Sequence, residues 1–280
     1  MKTIIHATDF SDNSISALKY AHSLSKKLDA KLRVIHVFSL HAIPGIRFNP
    51  TDIQLNTNIM KDFEAKILDL CKRTLGDDIK NVEVEAIENS SIVKGILGKI
   101  TEIKPLLLVL GMKGQSVFKD LIMGNTTRHL IEKSNCPLLA VPDDYNTMGD
   151  ISTIIYATDF QSKDGNAIAQ LSELARVFMA EIKVVHFSKK NHPENEHKMR
   201  RLKAELSEKT KYNKIKFEVV VADNSFYAIN AYLRKTGANL LAMLEKEKVG
   251  FIKKIIHENL VQKMNVLGST PLLSYNESSY

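Results

Sequence analysis

The chain has 280 residues, of which 44% are hydrophobic and 25% are charged, and its formal net charge is +7. This is the composition of a globular protein, and it excludes disordered and fibrous classes. No apolar run reaches the roughly 18 residues of a membrane helix, and His6 and Asp9 interrupt the N-terminal apolar run, so we expect a cytoplasmic protein. Basic and acidic residues alternate over 194–205, which is typical of a solvated helix face, so neither a membrane nor nucleic acid is an expected partner.

The first half of the chain alternates apolar runs with segments of helical periodicity. Strands that are apolar without alternation are covered on both faces, so the pattern predicts a doubly wound parallel α/β sheet with five strands. The predicted strands cover residues 2–7, 31–38, 82–87, 106–110 and 137–141, and the predicted helices include 13–28, 92–103 and 121–132.

The second half repeats the first. Residues 3–10 read TIIHATDF and residues 153–160 read TIIYATDF, an offset of 150 (159 − 9 = 150). Near the ends of the halves, the Cys-Pro-Leu-Leu and Thr-Pro-Leu-Leu strands give an offset of 134 (271 − 137 = 134). We therefore predict two tandem domains, 1–143 and 151–280, joined by a short polar linker, with the second copy shorter by 150 − 134 = 16 residues.

A glycine-punctuated loop follows the fourth predicted strand. Glycines let a main chain approach phosphate closely, and a helix N-terminus attracts anions, so this loop and the polar residues after it are interpreted as a phosphate cradle. At an offset of 134 its glycines are replaced by Glu245, Lys248 and Glu258, which favours a ligand role in the first copy over a role in shaping turns. The cradle comprises Gly111, Gly114, Gly124, Asn125, Thr126 and Thr127.

Asp9 and Ser11 follow the first predicted strand. In a parallel sheet, ligands lie beyond the carboxyl ends of the strands where the strand order reverses. Asp9 is therefore a candidate contact for a ribose hydroxyl or for a metal facing phosphates. The alternative is an N-cap for the first helix, and the persistence of Asp159 in the second copy leaves both open.

Several other residues receive structural or secondary interpretations. The histidines in apolar strands are predicted to be core residues. The two cysteines, one in a helical pattern and one just before a strand, fit reduced core or edge thiols better than a disulfide framework. No Cys/His/Asp spacing suggests a zinc site. His129 is a candidate to face the crevice, and Lys113 is interpreted either as a phosphate contact or as a solvated lysine. The core histidines and the cysteines are His6, His36, His186, Cys71 and Cys136.

With this repeat and this loop, the chain resembles the universal stress protein family in tandem form over essentially its whole length. The ATP-binding signature of that family is Gly-x-x-Gly, nine residues, then Gly followed by Ser or Thr. Gly111, Gly114 and Gly124 fit this spacing, but Asn125 stands where the family has Ser or Thr. The sequence is not a Walker A motif.

The resemblance implies an adenine nucleotide alpha hydrolase-like, Rossmann-like fold with strand order 3-2-1-4-5 in each copy. It also implies ATP, ADP or AMP as the ligand, with Mg²⁺ reached through Asp9. The implied binding residues are Ala7, Thr8, Asp9, Val37, Leu110, Gly111, Gly114, Gly124, Asn125, Thr126 and Thr127.

We therefore expect a stress-response regulator that binds an adenine nucleotide in its first domain and is not a fast ATPase. The alternatives are a nucleotide-free interaction module and a slow ATPase. By resemblance, residues 138–141 and 272–275 pair the two domains across a pseudo-twofold axis, and a homodimer or an unidentified protein partner is compatible with this arrangement.

Overall fold

The computed structural model describes residues 2–42, 53–112, 125–143, 150–190, 192–245 and 270–280. The described residues up to Asp143 form one compact unit, and those from Asp150 onward form another. Several predicted features lie outside the described residues: Lys113, Gly114, Gly124, the helix start at 121–124 and residues 144–149 of the linker. None of the described helices is long and apolar enough to cross a membrane.

The N-terminal unit is a parallel sheet with helices, and its strand order is 3-2-1-4-5, as predicted. Strand β1 is central between β2 and β4, so the strand order reverses there. The strands are β1 (Thr3–Ala7), β2 (Lys31–Phe38), β3 (Val82–Glu88), β4 (Leu107–Met112) and β5 (Leu138–Pro142). The helices are α1 (Asp12–Lys27), α2 (Ile53–Leu75), α3 (Ile92–Ile103) and α4 (Asn125–Lys133).

The C-terminal unit repeats this Rossmann-like topology, with β6 central between β7 and β9. Its strands are β6 (Thr153–Ala157), β7 (Glu181–Ser188), β8 (Ile215–Val221), β9 (Leu240–Glu245) and β10 (Leu272–Asn276). Its helices are α5 (Asp164–Phe178), α6 (Pro193–Lys209) and α7 (Ser225–Thr236).

The central strands are buried on both faces, which explains their unbroken apolar sequences. Ile4 and Ile5 point to opposite faces of β1, and each is fully buried, as are Leu108 and Val109 of β4. Cys71 and Cys136 are both buried, which agrees with their predicted place in the core.

The strand registers correct the predicted alignment of the two copies. Ile4 pairs with Leu107 and Ile154 pairs with Leu240, so the offset at β4 and β9 is 240 − 107 = 133. The offset of 134 applies only to β5 and β10, where Leu138 corresponds to Leu272 (272 − 138 = 134). Their partners, Leu108 on β4 and Leu241 on β9, differ by 133. The second copy thus has one additional residue between these strands. The counterpart of Gly111 is Leu244 (244 − 111 = 133), and its predicted assignment to Glu245 was wrong.

One ion pair occurs in both units with its charges exchanged. In the N-terminal unit, Lys31 Nζ on β2 lies 2.5 Å from Glu83 Oε1 on β3. In the C-terminal unit, Lys216 Nζ on β8 lies 2.5 Å from Glu181 Oε1 on β7. The strand geometry is therefore preserved while the sign at each position is reversed.

Candidate functional site

The carboxyl ends of β1, β2 and β4 bring the loop after β1 to the point where the strand order reverses. In this fold class, that point is the usual ligand crevice. Ala7, Thr8 and Asp9 lie there after β1, while Val37 is near the end of β2 and Gly111 near the end of β4. The described part of the predicted site is thus gathered at one edge of the sheet.

Thr8 anchors the loop after β1. Its N–H donates to Ile35 O at 2.9 Å, which extends the pairing of β1 with β2 by one bond. Its hydroxyl oxygen accepts from Phe10 N at 3.1 Å and from Ser14 Oγ at 2.7 Å. Because Thr8 is 95% buried and its hydroxyl is bonded within the unit, the geometry favours a structural role for this side chain.

His36 holds the same loop from β2. Its Nδ1 lies 2.8 Å from Thr8 O, and since a carbonyl only accepts, Nδ1 carries the proton. Its ring contacts those of Phe10 and Phe63 with centroid distances of 4.6 and 5.1 Å. Burial lowers the pKa of His36, against the opposing effects of the Thr8 hydrogen bond and of Asp9. His36 is therefore a packed, neutral support of the loop.

Phe10 turns the chain from the loop into α1. Its φ of +64° lies in the left-handed region, which is costly for a side chain of this size. Phe160 has the same conformation in the C-terminal unit, with φ of +57°. The turn belongs to the repeated fold and does not depend on the glycine loop.

Asp9 accepts two hydrogen bonds from Ser11, one from its N–H at 3.0 Å and one from its hydroxyl at 2.6 Å, both at Oδ1. The N-cap of α1 is Ser11, whose Oγ accepts from Ser14 N at 3.4 Å. The alternative that Asp9 is the N-cap is therefore wrong. Asp9 is exposed and orients the residue that caps the helix, and Oδ2 is the oxygen not bonded to Ser11.

Val37 presents its main chain beyond the end of β1. Residues of a strand alternate in the side to which their N–H and C=O point. Ile35 O bonds Thr8 on the β1 side, whereas Phe38 O accepts from Asn89 N at 2.9 Å on the β3 side. Val37 therefore directs its N–H and C=O toward the β1 side, past Ala7, where β1 ends. This is a donor and acceptor pair suited to a flat polar ligand.

Gly111 has a packing reason to lack a side chain. A Cβ at this position would lie 2.5 Å from Asn13 O and 2.8 Å from Ser14 N, both in the first turn of α1. This contact explains the glycine without any ligand. The neighbouring Leu110 is buried, so only its main chain is suited to contact a ligand.

The first residues of α4 differ in exposure. Asn125 is exposed and Thr126 is half-buried, whereas Thr127 is 93% buried. His129 is exposed on the same helix. Their relation to Gly114 and Gly124 stays a prediction, because both glycines lie outside the described residues. Within the described ranges, no three His, Cys, Asp or Glu side chains form a group suited to a metal.

At the corresponding edge of the C-terminal unit, the loop after β6 is preserved, but the helix that follows it begins later and differs at its N-cap. His186 Nδ1 lies 2.8 Å from Thr158 O, which repeats the contact of His36. Helix α5 begins at Asp164, two residues later than the position equivalent to Asp12 (12 + 150 = 162). Its N-cap, Lys163, makes no side-chain hydrogen bond to the helix.

A buried carboxyl group replaces the polar cluster of the N-terminal unit. Asp164 accepts from Tyr156 OH at 2.6 Å, from Thr158 Oγ1 at 2.6 Å and from Gln161 N at 2.8 Å. The N-terminal counterparts of Tyr156 and Asp164 are His6 and Ser14, whose Nε2 and Oγ lie 3.3 Å apart. Burial raises the pKa of Asp164, although its three donors oppose the change.

Sequence reasoning missed Gly95, which lies in the first turns of α3 against Val37. A glycine within a helical pattern was the available signal, since glycine there is unfavourable without a packing reason.

Comparisons with known proteins bear on the family and on the fold of the chain. The model of the universal stress protein family matches residues 1–142. The universal stress protein YxiE of Bacillus subtilis is 31% identical over 142 residues, which cover 48% of this chain and 95% of that protein. A solved universal stress protein from Archaeoglobus fulgidus covers 98% of both chains at 16% identity with a TM-score of 0.69, which supports the fold over both units. A universal stress protein solved in complex with cAMP covers 50% of this chain at 18% identity with a TM-score of 0.37, and cAMP binding is a property of that protein.

Proposed function

Because the chain belongs to the universal stress protein family, we propose that its N-terminal unit binds one ATP or a related adenine nucleotide, ADP or AMP. The observation that carries the proposal is the position of Val37. Its main-chain N–H and C=O point beyond the end of β1, beside the loop that contains Asp9. Adenine offers a matching acceptor and donor on one edge, so this pair of main-chain groups suits the base.

The ribose would lie toward Asp9. A carboxylate accepts hydrogen bonds from hydroxyl groups, and Ser11 holds this one in place through Oδ1. Carboxylate oxygen is also a preferred ligand of Mg²⁺, so Asp9 would hold that ion when it accompanies the phosphates.

The phosphates would lie toward the glycine loop and the start of α4. Gly114, Gly124 and Asn125 carry this part of the proposal by sequence spacing, with support from the general affinity of helix N-termini for anions. Each charge-assisted hydrogen bond contributes about 1.5–3 kcal/mol. A few of them, together with base burial, would reach micromolar affinity, about −8 kcal/mol.

The C-terminal unit is proposed not to bind nucleotide in this manner. At an offset of 133 or 134, none of the three glycines has a glycine counterpart in the sequence. At the first position, the register assigns Leu244, which is buried. The tandem chain would thus carry one nucleotide site in domain 1–143 and a second domain, 151–280, with a degenerate glycine motif.

We propose a cytoplasmic, stress-related regulator whose nucleotide occupancy is the signal, rather than an efficient ATPase. Fast hydrolysis needs a positioned water, a base and strong charge stabilisation at the γ-phosphate. Pairing of the two domains through their last strands, formation of a homodimer and a protein partner remain parts of the proposal that come from the family resemblance.

Calorimetric titration of the full chain with ATP and Mg²⁺ tests the function. We expect one site per chain and loss of binding in Gly124→Glu. No heat and no thermal shift at millimolar ATP would favour the nucleotide-free interaction module. Unchanged binding in Gly124→Glu would place the site elsewhere, and phosphate release above the protein-free rate would support the slow ATPase.

A further inference from the structure

Helix α3 is fixed over the end of β2 by its first residues. Ser91 is its N-cap and accepts from Lys94 N at 3.4 Å, while Asn89 Oδ1 accepts from Ser91 N at 2.9 Å. Asn89 N in turn donates to Phe38 O at 2.9 Å. The start of α3 is therefore tied by main-chain and capping bonds to the strand that contains Val37.

Gly95 is the point of closest approach between this helix and Val37. It is buried, and a Cβ built on it would lie 2.7 Å from Val37 Cγ1, 3.1 Å from Val37 Cγ2 and 3.2 Å from Asn89 Cβ. Carbon atoms in contact rest at about 3.5–4.0 Å, so an added methyl group would require movement.

Val37 cannot make that space by a side-chain rotation alone. Both of its methyl groups are close to the added atom, and a β-branched side chain has few accessible χ1 rotamers. The displacement would therefore pass to the main chain of Val37 or to the start of α3. The main chain of Val37 is the group that the proposed function assigns to the base.

We propose that Gly95 is a positioning residue for the base: its missing side chain sets where the N–H and C=O of Val37 lie and so determines recognition of adenine. This inference rests on the proposed function of the N-terminal unit. It adds a residue outside the glycine loop and assigns it to the base, not to the phosphates.

The C-terminal unit is built differently at this contact. Helix α7 follows α3 at an offset of 225 − 92 = 133, which places Ala228 at the position of Gly95. Phe187 stands at the position of Val37 (187 − 37 = 150), and its ring packs edge-on against Tyr232 at 5.9 Å. A larger pair thus fills the place of Gly95 and Val37 in the unit whose glycine loop is lost.

The test compares Gly95→Ala with Gly98→Ala in the full chain. Gly98 is exposed on the same helix, and a Cβ there would meet nothing within 4 Å, so both variants gain the same helix propensity but only one crowds Val37. Titrations with ATP, ADP and GTP measure the effect. We expect ATP affinity to fall about tenfold in Gly95→Ala and to be unchanged in Gly98→Ala, since overpacking typically costs enough for such a change.

Two ratios separate a base-positioning role from a general loss of structure. The preference for ATP over GTP should fall in Gly95→Ala, because the N–H and C=O of Val37 match the acceptor and donor of adenine but not the reversed pair of guanine. The ratio of ATP to ADP affinity should stay the same because those ligands share the base. Val37→Ala added to Gly95→Ala removes the crowding methyl groups, and it should restore at least half of the lost ATP affinity.

The outcomes distinguish the inference from the proposed function. A parent chain that binds no nucleotide would overturn both. Binding by the parent with equal affinity in Gly95→Ala, or with no rescue by Val37→Ala, would overturn the inference alone. If Gly95→Ala does not fold, the ATP preference over GTP of the double variant decides the question, and a preference below half that of the parent would overturn the inference.

Discussion

The main-chain oxygen of Asn13 lies where a side chain at Gly111 would have to begin, 2.5 Å from the position of a Cβ atom. The first turn of α1 can approach β4 because residue 111 has no side chain. In the C-terminal unit, Leu244 stands at this position and α5 begins two residues later. The glycine and the early helix start are therefore linked, and this glycine serves the fold whether or not a nucleotide binds.

The first prediction concerns this contact. Gly111→Ala should lower the free energy of unfolding by about 1–3 kcal/mol, because the neighbour that must move is main chain and not a flexible side chain. Urea denaturation measures the change, and Gly98→Ala is the control because its added methyl group meets open space. Equal stability of Gly111→Ala and the parent would show that α1 moves away without cost.

The second prediction separates the structural and ligand roles of Asp9. Asp9→Asn keeps an oxygen that can accept from Ser11 but removes the charge, so stability should change by less than about 0.5 kcal/mol. Affinity for ATP with Mg²⁺ should fall about tenfold, since a charged contact is lost. Asp159→Asn is the matched control and should leave ATP affinity unchanged; an equal loss there would place nucleotide in the second domain.

The third prediction concerns the buried histidine of β1. Burial lowers the pKa of His6 from 6.5 to about 4, although Val109 O, Asp9 and Ser14 oppose the change. Because the folded state favours the neutral ring, the stability from this group is present above pH 6.5 and is lost as the pH falls toward 4. The loss should reach about 3 kcal/mol by linkage.

The measurement for His6 is the free energy of unfolding at pH 7 and pH 4 in the parent and in His6→Gln. The variant has no titrating ring, so its loss between the two pH values should be smaller by the same amount. Parallel losses in the two proteins would contradict the buried neutral assignment.

The fourth prediction replaces the Tyr156–Asp164 pair of the C-terminal unit by the residues that the N-terminal unit has at the equivalent positions. Asp164→Ser should cost about 1–3 kcal/mol, because the Tyr156 hydroxyl loses its acceptor while buried. Adding Tyr156→His reproduces the residues found at His6 and Ser14 and should recover part of the loss. A double-mutant cycle measured by chemical denaturation should give a coupling of about 0.5–3 kcal/mol. Strict additivity would contradict a direct interaction.

The sequence was sufficient for the fold because the repeat and the unbroken apolar strands are strong signals. It was insufficient for the alignment at β4, because an offset read from the last strands was carried across a loop that differs by one residue between the copies. No periodicity reports such a difference, whereas strand pairing does.

At the candidate site, the residue types predicted where a residue lies better than they predicted what its side chain does. Asp9 was placed correctly at the strand edge, but its contact with Ser11 depends on loop geometry that propensity does not specify. The support of Thr8 by His36 and the approach of α3 to Gly95 are tertiary contacts between residues far apart in sequence. They could not be read from local patterns.

The exchanged ion pairs have a consequence for assembly during synthesis. Tandem copies of one fold risk pairing a strand of the first copy with the wrong copy's neighbour. If β2 paired with β8 in the shared register, Lys31 would face Lys216, and if β7 paired with β3, Glu181 would face Glu83. Each mispairing would bring like charges together at this position, although Lys183 would lie opposite Glu83 in the second one. The reversed signs are thus one local contribution against exchange of strands between the two copies during folding.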